Sequence, residues 1–412
     1  MKQHFSITPV PGRKWTVDIR CGSRTERLRI LPVKAVRITN EKHDSVMLRN
    51  PDCAPWCRTR LKMLVTSECT AGYALQPGSL VLTDANGTVF EPGRDYEINE
   101  EYGTFMRTAD GRIREGEAVF ASYSFFHSRL DSIVLAEDGV IVQRLGEEDI
   151  ATPAPPTVLP GEKRLANIYF TGHPDRISDD MIFPVLTKTL PAGQSQTALM
   201  PKTVAKLKSG RKVRILVWGD SVTECCYLPE KEQYQTMFLK RLRKAYPKAD
   251  IEMRTLGWGG RSTRSFLQEP AGSPFNFQEQ VVAWKPDLVV SEFVNDGGYS
   301  PEMCEECYGT ILDAFRRNGI EWLILTPHYI KLSWMGLKSQ KNCSEDPRYL
   351  VGFLRKFGRE NNVAIADGSL KYGHLWETGI PFMIYMVNTI NHPDRRGMEL
   401  FADALIEAMT DH

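Results

Sequence analysis

The pattern of apolar and polar positions changes character part-way along the chain. Up to about Gly146, apolar and β-branched residues come in short runs with no sustained 3.6-residue stripe: Leu61–Thr66, Ser79–Thr83, Ala118–Phe126 and Ser132–Leu135. Turn-forming pairs punctuate them, namely Asn86-Gly87, Asp110-Gly111 and Asp138-Gly139. Such pairs suit the left-handed backbone of tight hairpins. The runs predict strands, and the region predicts an antiparallel β-sandwich or barrel. Residues 151–161 read ATPAPPTVLPG, a proline density that favours an extended connector. Ala166–Phe170 reads as one further strand, and Gly172–Gly210 as an irregular wrapping segment.

After Arg211 the pattern alternates. Val213–Trp218, Ile251–Thr255, Leu288–Phe293, Trp322–Thr326 and Val363–Ala366 are short apolar strand candidates. Helical patterns lie between them, among them Glu230–Tyr246 with Tyr234, Phe238, Leu242 and Ala245 on one face. The last is the clearest: Met398, Phe401, Ala402, Leu405, Ile406 and Met409 keep the spacing of one helix face. Alternation of this kind predicts an α/β unit, a parallel sheet between two helical layers, and ligands of such sheets bind at the carboxyl ends of the strands. The expected domains are a β-rich accessory domain over 1–165, a linker or wrapping segment over 166–205 and an α/β domain over 206–412.

Composition narrows the picture only a little. The 412 residues carry a net charge of +1 and no dense basic run, so neither nucleic acid nor a membrane is an expected partner. Lys240, Arg241, Arg243 and Lys244 read as the solvated face of a helix. Met1–Arg13 has no apolar leader-like core. That makes the expected location cytoplasmic, with secretion left open if a leader has been removed. Nine cysteines at irregular spacing favour free thiols.

The candidate chemistry sits at the ends of the predicted strands. Val213–Trp218 runs into Gly219-Asp220-Ser221-Val222-Thr223, which puts a serine on the rim where a site is expected. Thr223 stands where the nucleophile elbow of the α/β-hydrolases would have a second glycine, so that motif is absent. Ile251–Thr255 is followed by Leu256-Gly257-Trp258-Gly259-Gly260-Arg261, Leu288–Phe293 by Val294-Asn295-Asp296-Gly297, and Asn391-His392-Pro393-Asp394 precedes the last helix. Singly, each has an ordinary explanation as a cap, a turn or a glycine-rich loop. In this order at these element ends, Ser221, Gly260, Asn295 and His392 resemble the four motif residues of the GDSL/SGNH hydrolases. The resemblance covers Arg211 to the end of the chain and not the β-rich half.

The resemblance implies a flavodoxin-like three-layer α/β/α fold in which Ser221 is the nucleophile and His392 the general base. Gly260 and Asn295 would be oxyanion donors, and no cofactor or metal would be needed. Two positions depart from the family pattern. Phe293 stands where a small residue is usual. Thr389 stands three residues before the histidine, where the family usually has an aspartate. A backbone-held Ser-His dyad is the favoured reading, with Asp367 and Asp394 as candidate acids. Asp220, Trp258, Arg261 and His328 are secondary candidates for substrate contact, and Cys225 and Cys226 for lining the pocket. Cys304 and Cys307 invite a zinc reading, as do Cys53, Cys57 and Cys69 with His43. The first pair fits one packed helical face better, and no second pair completes four ligands for it; the second set is slightly more suggestive of metal but is not the favoured reading either.

The function implied is an esterase for small acyl groups, most simply O-acetyl, on a glycan or other small-molecule ester. The β-rich half would then bind glycan or form a homo-oligomer. No long apolar lid segment favours a lipase. A lysophospholipase or thioesterase, an acyltransferase, and a catalytically weak glycan-binding protein are the alternatives.

Overall fold

The computed structural model describes residues 5–411; the first four residues of the stretch Met1–Arg13 and the last residue of the chain lie outside them. The chain divides into two compact units, one formed by residues up to 188 together with 376–391, the other by 189–375 together with 392 onward.

The first unit consists of small antiparallel sheets arranged around two cores. Phe5–Pro9, Thr16–Cys21 and Arg24–Arg29 form one three-stranded sheet. Ile7, Val17 and Ile19 from it share a core with Ile133, Leu165 and Ile168 of a four-stranded sheet. The other core lies between the sheets containing Val119–Phe125 and Thr104–Arg107, where Leu82, Phe105, Ala121 and Phe125 are fully buried. Leu61–Thr66, expected as a strand, instead contains a 3-10 turn over Lys62–Leu64. Leu61 and Leu64 are buried there while Lys62 and Met63 face water, and a three-residue turn brings both leucines to one side.

The boundaries expected from composition do not follow these units. Lys163–Phe170 is an interior strand, paired with Arg129–Leu135 on one side and Ile182–Pro184 on the other, so a boundary at 165 would cut through a sheet. Residues 376–391 also return to the first unit. Ile384 packs on Leu130, Tyr169 and Phe183, and Asn167 Nδ2 donates to the Gly379 carbonyl at 2.7 Å.

The second unit is a five-stranded parallel sheet of β1 (Lys212–Gly219), β2 (Asp250–Gly257), β3 (Leu288–Glu292), β4 (Glu321–Leu325) and β5 (Ala364–Ala366), in the order β2-β1-β3-β4-β5. This is the flavodoxin-like order, and it places the topological switch at the β1–β3 edge. Helices Pro301–Asn318 and Tyr349–Asn361 cover one face, burying Ile311, Phe315, Phe353 and Phe357 against Trp218 and Trp322. Helices Tyr234–Ala245 and Arg395–Met409 pack together, with Tyr234 edge-on to Phe401 at 5.6 Å. The first starts four residues later than the periodicity suggests, because Glu230–Glu232 forms a separate 3-10 turn. Within the stretch expected to be irregular, Pro201–Ser209 is helical. Pro201 opens it and Gly210, at φ 73°, closes it, a usual division of labour between these residues.

Candidate active site

β1 delivers the serine. A Cβ on Gly219 would run into the Glu292 carbonyl and the Thr223 side chain, so only glycine lets β1 and β3 come this close where the chain turns. Asp220 then caps the short helix Ser221–Glu224, with its Oδ1 accepting from the Val222 amide at 3.0 Å. Its other oxygen accepts from the Asn295 amide, also at 3.0 Å. One fully buried carboxylate therefore fixes the Ser221 turn to the loop after β3. Its role is bracing, and its burial corrects the expectation that Asp220 touches substrate.

His392 stands across from the serine, with Nε2 3.0 Å from Ser221 Oγ, the separation a proton transfer needs. The histidine is 9% exposed, so its ring lies in a largely dry environment. The turn ending in His392 is shaped by Asn388, whose side chain accepts from the Ile390 and Asn391 amides at 3.0 and 2.9 Å.

The oxyanion side is equally tied down. Gly260 adopts φ 70°, a left-handed backbone that a side chain would strain. Beside it, a Cβ on Gly259 would stand 3.8 Å from Ser221 Cβ, so this loop abuts the nucleophile. Asn295 Nδ2 donates to the Arg261 carbonyl at 3.0 Å. An amide nitrogen carries two N–H groups, so the second is free to serve an oxyanion. Asp296 clamps the same two loops, accepting from the Thr263 amide at 3.0 Å, Thr263 Oγ1 at 2.8 Å and Tyr308 Oη at 3.0 Å. Burial pushes the Asp296 carboxyl up to about 6, while the Thr263 and Tyr308 donors pull the other way.

The carboxylates named as candidate acids are engaged elsewhere. Asp367 is held by Arg355 at 2.9 and 3.1 Å, accepts from Thr326 Oγ1 at 2.9 Å and caps the helix Gly368–Gly373 through the Leu370 amide. Asp394 caps the final helix through the Gly397 amide at 3.0 Å and pairs with Arg396 at 2.7 Å. Thr389 belongs to the first unit, where its hydroxyl accepts from the Gly72 amide and donates to the Thr70 carbonyl, both at 3.1 Å.

One further expectation is corrected by burial. His328 is fully buried against Tyr372 and Phe401, at ring distances of 5.6 and 5.7 Å, and is not offered to substrate. Trp258 is half-buried. Phe275 stacks on it at 4.2 Å, and the exposed Arg261 guanidinium lies over it at 4.9 Å. Cys225 is buried at the end of the nucleophile helix and Cys226 is exposed beside it. Cys304 and Cys307 lie in the apolar core, where burial pushes the Cys304 thiol up to about 12. Among the described residues, no three His, Cys, Asp or Glu side chains are placed to share a metal ion, and His43 bonds Glu41 at 2.9 Å.

The sequence reading missed two residues. Glu292, at the end of β3, is 1% exposed, and neither carboxylate oxygen has a hydrogen-bond partner. Burial first, and then the neighbouring Asp220, push its carboxyl well above the usual range. Burial raises the neighbouring Asp220 carboxyl too, to about 7, against the pull of the Val222 and Asn295 amides. Its signal was legible, as a single acid inside the apolar run Leu288–Val294. Tyr227 lies flat on His392, with ring centroids 4.4 Å apart and planes at 1°. No periodicity or motif marked it.

Over about half its length the chain is similar in fold to solved structures of GDSL/SGNH hydrolases. A two-domain esterase active on acetylated mannans matches with 16% identity and a TM-score of 0.42, over 52% of this chain and 54% of that one. The chain thus spans about half the length of that esterase. A protein named a GDSL-like lipase from Parabacteroides merdae matches at 16% identity and a TM-score of 0.38, over 48% of this chain and 95% of that one. An SGNH hydrolase from Slackia heliotrinireducens matches at 19% identity and a TM-score of 0.36, over 48% of this chain and all of that one. No protein-family model matches the chain, and no curated protein matches it in sequence.

Proposed function

We propose that this protein is a serine esterase that removes small acyl groups, with O-acetyl on a carbohydrate as the leading substrate. The observation that carries the reading is the 3.0 Å contact of Ser221 Oγ with His392 Nε2 beside the loops of Gly260 and Asn295. Ser221 Oγ attacks the ester carbonyl as His392 takes its proton. The Ser221 and Gly260 amides and the second N–H of Asn295 hold the tetrahedral oxyanion. Collapse expels the alcohol, which leaves with the proton from His392. Water then attacks the acyl-enzyme, with His392 again as base.

The surroundings favour a short acyl group and a polar alcohol. Gly259 abuts Ser221, while Glu224 and Arg261 are exposed nearby. Arg261 is exposed over the half-buried Trp258 and is the side chain offered to a sugar hydroxyl or acyl carbonyl. The carbohydrate assignment follows the family resemblance, in which two-domain members with a β-rich half often deacetylate glycans.

The test is acetate release from p-nitrophenyl acetate and from a panel of acetylated oligosaccharides, with wild type and Ser221→Ala side by side. Release that disappears in the variant supports the serine mechanism. Cleavage of long acyl esters with no acetate released from any sugar would overturn the substrate assignment.

A further inference from the structure

The nucleophile and oxyanion groups are fixed by hydrogen bonds from neighbouring loops, whereas the broad surface of the general base is covered by an aromatic ring. Tyr227 reaches that place because Cys225 ends the nucleophile helix in the left-handed conformation, φ 50°, and reverses the chain. Gln233 Nε2 then pins the reversed segment, donating to the carbonyls of Cys225 at 3.0 Å and Leu228 at 3.3 Å. The ring is thus carried on a braced loop, with its plane within 1° of the imidazole plane.

We infer that Tyr227 is the positioning residue of the general base, holding the plane of His392 and stabilising its protonated form through its aromatic face. This rests on the reading of His392 as the base for Ser221. A parallel stack touches the imidazole face and not its edge, so Nε2 meets Ser221 at 3.0 Å while the phenol opposes tilting of the ring. When His392 takes the serine proton, the imidazolium forms against the electron-rich face of the phenol. Such a contact is worth most where water is scarce, and His392 is 9% exposed. The titratable groups that act on Tyr227 are Cys225, Tyr372 and Glu292. Burial raises the Glu292 carboxyl and so favours its uncharged form.

Two variants separate the face from the hydroxyl and from packing. Tyr227→Phe keeps the face; Tyr227→Leu keeps apolar bulk and removes it. The leucine variant is expected to lose about 3- to 30-fold in kcat with little change in KM. The acidic limb of its kcat/KM profile should move to lower pH by about 0.4–1.5 units. The phenylalanine variant should stay within about twofold of wild type with an unmoved limb. Titration of the His392 imidazole by NMR gives a readout that needs no substrate, and should show the same downward shift in Tyr227→Leu alone. Thermal melts confirm that each variant is folded. An unshifted His392 titration in folded Tyr227→Leu, or equal losses in both variants, overturns the inference. Wild type lacking esterase activity while the NMR shift persists would instead overturn the proposed function and leave the stack intact.

Discussion

Asp220 follows β1 and Asp367 follows β5, in one parallel sheet, and each caps a short helix through a backbone amide. Beyond that the two strand ends diverge. Asp220 is fully buried and receives only amide donors, from Val222 and Asn295, so it ties together two loops of the site. Asp367 is partly open and clamped by Arg355 and Thr326. Together with Arg355, Arg359 and Gly193 it lines a separate cavity of about 390 Å³. A place on the carboxyl rim of the sheet is therefore not a role. The neighbours decide whether a carboxylate braces a nucleophile or closes an ion pair.

That contrast can be broken or sharpened by substitution. The largest effect should come from Ser221→Ala, which is expected to lower kcat by about 10⁴-fold or more; retention of acetate release would remove the β1 end from the chemistry. Asn295→Ala follows, at about 10²–10³-fold in kcat, the usual cost of one oxyanion donor, with KM for p-nitrophenyl acetate as the control. Asp367→Ala should leave kcat within about threefold while denaturant melts show a loss of about 1–3 kcal/mol, the cost of stranding the partly buried Arg355. A thousandfold loss of kcat there would make the two strand ends alike after all and restore Asp367 as the acid.

The smallest effect concerns Glu292. Its carboxyl is raised on folding, so the native state holds a proton that the unfolded chain releases above about pH 4.5. Stability from this group is present below that pH and falls as pH rises toward the folded-state value. Glu292→Gln removes the titration. The variant should match wild type near pH 4.5 and exceed it by a margin that widens as pH rises. Parallel melting curves across the range would refute the neutral carboxyl.

Much of the second unit was legible because its signals are local. Apolar runs of four to six residues predict the strands of the sheet, and the stripe from Met398 to Met409 predicts the last helix. Ser221, Gly260, Asn295 and His392 could be picked out because each sits at such an element end. The first unit was less legible. Its strands are short and half-exposed, and a three-residue turn at Lys62–Leu64 produces the same apolar spacing as a strand fragment. Its boundary was invisible in composition, since residues 376–391 join it only through contacts with strands some two hundred positions away, such as Asn167 with Gly379.

By itself, the sequence determined the parallel α/β core, the order of the motif residues and the position of the serine at a strand end. Hydrophobic periodicity and turn chemistry act over a few residues and need no knowledge of the rest of the chain. Only the tertiary structure decided the partners. Asp394 and Asp367 bind arginines, Phe275 stacks on Trp258, His328 is buried, and Tyr227 lies on His392. The physical reason is that a side chain's role depends on which groups meet it across the fold, and those meetings are fixed when helices and loops distant in sequence pack onto one sheet.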